Sequence, residues 1–143
     1  MTDIARPTRG LQNRNPGNLR ASTAFTWQGQ TGVDDKGFVV FATDIYGIRA
    51  AVIDLHTGYS RGETSVFALI KIYAPPNEND PQTYAVFVAG KLGVAPTDTL
   101  SFDQPTATQL IEAIITMEQG SQPYDDSTIA AGVQSAFAHF QAV

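Results

Sequence analysis

The sequence contains no cysteine. That excludes a disulfide framework and thiolate chemistry, and leaves open whether the protein works inside or outside a cell. Only two histidines occur, His56 and His139, far apart and outside any ligand-spaced cluster. Asp34-Asp35 lacks the length and spacing of a calcium loop. No metal and no cofactor is therefore expected. There is no Gly-x-Ser-x-Gly elbow and no glycine-rich phosphate cradle ahead of a helix. No apolar run approaches the ~20 residues that a membrane span needs, so membrane insertion is not expected. Residues 1–10 lack the apolar middle region of a signal peptide, which predicts synthesis in the cytoplasm. Beyond Lys91 there is no lysine or arginine, while Asp98, Asp103, Glu112, Glu118, Asp125 and Asp126 follow. With a net charge of −5 and no coherent basic face, the chain is not expected to bind nucleic acid.

What the chain does have is a run unlike the rest of it: Arg9-Gly10-Leu11-Gln12-Asn13-Arg14-Asn15-Pro16-Gly17-Asn18-Leu19-Arg20. Asn-Pro and Pro-Gly are turn dipeptides, and Gly17 is suited to a positive φ. The composition predicts a loop, dense in amide and guanidinium donors. Either it grips a polar ligand, or its asparagines bond only their own backbone. The arginines here, set against the acidic C-terminal third, also predict an intramolecular match between the two ends.

A length of 143 residues and 43 % apolar content predict one domain with a real core. It divides into a polar, loop-rich segment over 1–24, a hairpin over 26–42 and a helical part over 43–143. Residues 17–21 suit a short strand. Residues 26–31 and 38–42 are strand-like and flank the turn-rich Gly32-Val33-Asp34-Asp35-Lys36-Gly37, which makes a β-hairpin. Thr43 or Asp44 caps the first helix, with Ile45, Ile48, Val52, Leu55 and Tyr59 on its apolar face and Gly62 at its end. Thr64 caps the second, with Phe67, Ile70 and Tyr73 on one face, and Pro75-Pro76 stops it. Asp80 caps the third, with Pro81 at its first position and Gly93 at its end. The fourth runs from about Thr106 to Gln119. Leu110, Ile111, Ile114 and Ile115 make it the most apolar and hence the central helix. Ser127 caps the fifth, which buries Ile129, Val133, Phe137 and Phe140. The expected fold is mainly α (α+β), a lysozyme-like helical domain of about five helices with one small hairpin forming a lip.

Only four glutamates are available as acid catalysts: Glu63, Glu78, Glu112 and Glu118. Glu118 sits in the last turn of its helix, where the negative end of the helix dipole and apolar neighbours disfavour the charged form. A carboxyl kept protonated is what glycosidic cleavage needs in a general acid. The alternative is an exposed glutamate at a fraying helix end. Glu78, in a loop stiffened by two prolines, is the competing catalytic candidate, although it also favours the helix that starts just after it. Glu63 and Glu112 read as structural.

These residues also carry a resemblance. The 9–20 run resembles the RGIRNNNPGNIR opening of a family of bacteriophage and prophage proteins. Trp27-Gln28-Gly29, Phe38-Val39-Val40-Phe41, Tyr46-Gly47-Ile48-Arg49-Ala50, Tyr73-Ala74-Pro75-Pro76-Asn77-Glu78-Asn79, Tyr84 and the 114–124 segment follow in that family's order. Its members are described as phage structural proteins or as lysozyme-like, cell-wall-degrading enzymes. In addition, Ile111 to Pro123, as Ile-x-x-Ile-Ile-x-x-Glu-x-Gly-x-x-Pro, is similar to the catalytic-helix signature of lytic transglycosylases and related muramidases, with Gln119 in place of serine. Those enzymes carry that helix near the start of the domain, so a circular permutation would reconcile the two orders.

The resemblance implies a peptidoglycan glycosidase of phage or prophage origin, of lysozyme or lytic transglycosylase type, with Glu118 protonating the bond between two amino sugars. Asn13, Asn15, Asn18, Tyr73 and Asn79 become candidate donors to sugar hydroxyls and acetamido groups, and Trp27 or Tyr124 candidate faces for a sugar ring. Trp27 serves equally as a plug beneath the hairpin. Glu78 becomes a second carboxylate if it lies across the cleft. Peptidoglycan strands, and other proteins of a virion or injection apparatus, are the implied partners, met at the cell wall after release or delivery. The alternative function is a non-catalytic virion or tail component that binds glycan or only builds structure.

Overall fold

The computed structural model describes residues 3–73 and 80–142. Among these the chain is mainly helical with one small antiparallel sheet, an α+β arrangement. The elements in order are α1 (Arg9–Gln12), β1 (Gln30–Val33), β2 (Val39–Phe41), α2 (Asp44–Ser60), α3 (Val66–Tyr73), α4 (Pro81–Leu92), α5 (Gln104–Gln119) and α6 (Asp126–Ala142). No helix among the described residues is long and apolar enough to cross a membrane.

α5 is the central helix, as its sequence predicts. Leu110, Ile111, Ile114 and Ile115 are all fully buried, and α4, α6 and α2 pack around them. The tightest approach lies between α2 and α6. Gly132 and Ala136 on α6 are buried there. A Cβ on Gly132 would stand 2.5 Å from Cγ2 of Ile48, so only a hydrogen fits. The expected face of α2 is buried at Ile48, Val52 and Leu55. Ile45 is exposed, and Arg49 is 7 % exposed.

The predicted hairpin forms with its strands displaced by a few residues. Gln30 pairs with Phe41 and Val33 with Val39, and the register shifts between Gln30 and Gly32. The strand expected over 17–21 reduces to a single antiparallel bridge between Arg20 and Phe38. Leu19, Val39, Phe41 and Ala50 form a small second cluster, with Trp27, Tyr46 and Tyr73 at its border. The hairpin is thereby seated on α2.

Several ends lie where local chemistry places them. The Thr43 hydroxyl accepts from Tyr46 N, Asp80 accepts from Gln82 N with Pro81 following, and Gly93 closes α4 at φ 72°. Others shift. Ser65 rather than Thr64 accepts from Ala68 N. Asp103 caps α5 two residues earlier than expected, and Asp125 rather than Ser127 receives the Thr128 N–H. The largest departure is α1, a helical turn where a loop was expected. Thr8 caps it, and its Gly10 and Leu11 are buried. A turn this short is marginal on its own, so that burial holds it.

Candidate functional site

The 9–20 run is fastened to the end of α5. Gln119, 6 % exposed, accepts a hydrogen bond from the Thr8 hydroxyl and donates through Nε2 to Pro16 O at 2.8 Å. A Cβ on Gly10 would stand 2.2 Å from that Nε2, so the glycine lets α1 lie flush on the helix end. Gln119 occupies the position where the transglycosylase signature has serine, and here it serves as the clasp. Asn15 is fully buried: Nδ2 donates to Leu19 O and Val39 O, and Oδ1 accepts from Leu19 N. Positive φ falls on Arg14 (53°) and Asn18 (54°), not on Gly17. Gly17 meets a different demand, since a Cβ there would stand 1.9 Å from the Tyr73 hydroxyl. That hydroxyl donates to Gly17 O at 2.8 Å.

The left-handed backbone at Asn18, a conformation asparagine tolerates better than most residues, turns its side chain toward α5. There Nδ2 donates to Oε1 of Glu118 at 3.0 Å, and the Tyr84 hydroxyl bonds Oε2 at 2.7 Å. Glu118 is half-buried in the last turn of α5, which has no basic residue. Tyr84 is fully buried. Burial pushes its phenol far above the usual value, and the charge of Glu118 adds to this. Tyr84 thus keeps its proton at any working pH. A neutral hydroxyl can donate to a carboxylate or accept from a carboxyl, so the pair accommodates Glu118 in either state.

In front of Asn18 and Tyr73 lies a groove of about 350 Å³. Phe25 and Trp27 form one wall, edge to face with ring centroids 5.0 Å apart. Phe25 is 52 % exposed and Ile72 59 %, so this wall faces solvent with apolar surface. Arg20 and Asp54 also line the groove. Tyr73 is pushed well above the ordinary tyrosine range by burial first, then by the charges of Glu118 and Asp54. The two carboxyl groups therefore flank one phenol. Loss of water around Asp54 raises its pKa, against a smaller opposing pull from Arg61. Asp54 is itself exposed at the groove's edge.

Of the residues singled out from the sequence, the fold brings Asn18, Tyr73 and Trp27 to the groove, while Glu118 does not line it and is tied to it through Asn18. Asn15 is consumed by the backbone. Asn13 donates to Asp34 at 2.8 Å, and Tyr124 is 6 % exposed and does not line the groove. These three do not meet the groove, because the polar turn spends its amides on holding itself. Glu78 and Asn79 lie outside the described residues. The expected match between the N-terminal arginines and the acidic C-terminal third is replaced by nearer partners. Arg6 and Arg14 pair with Asp44 at 2.9 and 3.2 Å, and Arg9 with Asp34 and Asp35 at 3.0 and 2.7 Å. The turn is bolted to the hairpin and to the start of α2. α5 is reached through neutral Gln119 and through Asn18.

Sequence reasoning passed over Asp54. The signal was its spacing: Tyr46, Ala50 and Asp54 recur every four residues and so share one face of α2. The hairpin covers that face at Ala50, which leaves Asp54 at its edge, in the groove.

Comparison with known proteins agrees with the phage-type sequence pattern. No family model matches the chain. Protein P5 of Pseudoalteromonas phage PM2 is 36 % identical over 140 residues, covering 95 % of this chain and 86 % of that protein. At that identity and coverage, the chain belongs to the same phage protein family as Protein P5.

Proposed function

We propose that this phage-family protein is a peptidoglycan-degrading glycosidase of lysozyme or lytic transglycosylase type, with Glu118 as general acid. The observation that carries the reading is a half-buried glutamate at a helix end, held between Tyr84 and Asn18, the latter also lining a groove walled by Phe25 and Trp27. Aromatic faces suit the apolar faces of sugar rings. In the reaction a protonated Glu118 gives its proton to the glycosidic oxygen as the C–O bond breaks, and the bonding electrons leave with that oxygen. The resulting cation is captured by water or by the substrate's own hydroxyl or acetamido group. Tyr84 donates to Oε2 throughout, which leaves Oε1 to carry the proton that is transferred. Asn18 holds the other oxygen until substrate displaces it. A circularly permuted lysozyme-like domain, acting at the cell wall after release or delivery, accommodates the helix order.

A second reading, a non-catalytic glycan-binding component of a virion, is favoured by one observation. Both oxygens of Glu118 already have protein partners, Asn18 and Tyr84. Incubating the purified protein with peptidoglycan and identifying soluble products by mass separates the two. Anhydro-sugar ends are expected from a transglycosylase and reducing ends from a hydrolase. Binding without release from several wall types would establish the non-catalytic reading. If Glu118→Gln keeps full activity while Glu78→Gln abolishes it, the acid is Glu78.

A further inference from the structure

We propose that Tyr73 is the positioning residue for Glu118: its hydroxyl holds Gly17 O and so fixes the Gly17–Asn18 peptide in the orientation that delivers the Asn18 amide to Oε1. This rests on the glycosidase reading above for the role of Glu118, and it adds to that site a residue of another helix that acts through Asn18.

Three successive peptide groups are pinned around Asn18. Pro16 O accepts from Gln119 Nε2 at 2.8 Å. Gly17 O accepts from the Tyr73 hydroxyl at 2.8 Å, and Asn18 N donates to Asn15 O at 3.0 Å, so the peptide between them is held at both ends. Leu19 N donates to Asn15 Oδ1 at 3.0 Å, which holds the next one. Glycine leaves the Gly17–Asn18 peptide free to flip, so its two hydrogen bonds are what set it. With rigid peptide planes fixed on either side of Asn18, its φ of 54° and the direction of its Cβ follow. The side chain then reaches Oε1 of Glu118 at 3.0 Å, while Tyr84 holds Oε2 at 2.7 Å. A carboxyl gripped at both oxygens keeps its plane, whereas one gripped at a single oxygen turns about its last, soft torsion. Of these holders, Tyr73 alone comes from α3, where it is the last residue. It also lines the groove, so a ligand seated there meets the ring whose hydroxyl sets Asn18.

Heteronuclear NMR on the full chain reads the Asn18 side-chain amide, its signal assigned by its loss in Asn18→Gly. Glu118→Gln gives the position of that amide with no carboxylate to bond. Tyr73→Phe keeps the ring and removes only the hydroxyl, and it is expected to move the Asn18 signal most of the way to that position. Gly17→Ala, whose new Cβ drives the hydroxyl away, should do the same. An Asn18 signal unmoved in Tyr73→Phe overturns the inference. On soluble glycan strands, Tyr73→Phe should lower kcat by about tenfold through a misaligned carboxyl, with KM little changed because the groove wall is intact. Asn18→Gly should lose at least as much, and adding Tyr73→Phe to it should cost nothing more. Additive losses would mean that Tyr73 acts other than through Asn18, and they overturn the inference. A wild-type protein that releases no sugar ends overturns the glycosidase reading, and the amide signal alone then decides whether Tyr73 positions Asn18.

Discussion

The 9–20 turn and the groove beside it both carry polar side chains, yet they dispose of them in opposite ways. In the turn, Asn13, Asn15, Arg9 and Arg14 are spent on nearby backbone and on Asp34, Asp35 and Asp44. In the groove, Phe25 and Ile72 face water, and Asp54 carries a raised pKa. Asn18 stands at the junction, on the turn by backbone and in the groove by side chain. A donor-dense sequence is therefore a poor guide to a binding surface, since the donors' first use is to satisfy the fold. The groups left for a ligand are those at the edge of the fastened region.

Substitutions can break this division. The largest effect is expected from Glu118→Gln, which on the glycosidase reading lowers glycan release by about 10²–10⁴-fold. Its thermal melting should move little, because an amide still meets Asn18 and Tyr84. Retained activity, measured as released sugar ends, would remove Glu118 from the chemistry. Asn15→Ala comes next, with a loss of about 3 kcal/mol in denaturant unfolding. It strands Leu19 N and takes a donor from the Val39 and Leu19 carbonyls, of which Leu19 O keeps Val39 N. Asn18→Gly keeps the left-handed backbone and should instead cost activity more than stability.

Gly17→Ala should cost about 1–3 kcal/mol through the clash with the Tyr73 hydroxyl. In a double-mutant cycle, Tyr73→Phe should recover part of that loss by removing the atom struck. Additive losses would place the clash elsewhere.

The smallest effects are in pH dependence, and their signs oppose. Burial pushes Asp34 up, but bonds from Asn13, Phe38 N, Arg9 and Lys36 N outweigh it and hold the pKa well below the carboxylate range. Its contribution is present above the ordinary Asp value of about 3.9 and is lost as pH falls through the lower folded value. Asp34→Asn should therefore melt lower than wild type at pH 7, with the gap closing in strong acid. Asp54 has a raised folded pKa, so its contribution is present in acid and is lost as pH rises through that value. Asp54→Asn should melt at or above wild type at pH 7, and the gap should close below about pH 4. Parallel pH profiles for the two variants would erase the distinction between turn and groove.

What could be read from the sequence was set within a few residues. Thr43, Asp80-Pro81, Gly93 and the apolar stripe of α5 act on their own turn of helix, and each lies where its chemistry predicts. Glu118 in a last turn was legible for the same reason. Asn15 and Asn18 share a residue type and a neighbourhood, and only the structure shows one spent on Leu19 and Val39 and the other reaching Glu118. α1 was hidden because its stability comes from burial against α5. Asp54 was hidden because its environment is built by a hairpin some twenty residues earlier and by Tyr73 in the next helix.

The clasp at Gln119 has a kinetic consequence. Its bonds to Thr8 and Pro16 span 111 and 103 residues, and the Asn18–Glu118 bond spans 100. Contacts of such separation carry the full entropy of loop closure and form after local helix pairs have gathered. The catalytic candidate is thus assembled by the last-docking segment, the first twenty residues closing over a helix made a hundred residues later. A chain still emerging from the ribosome lacks core and site alike until α5 is released, because one helix supplies the centre of both.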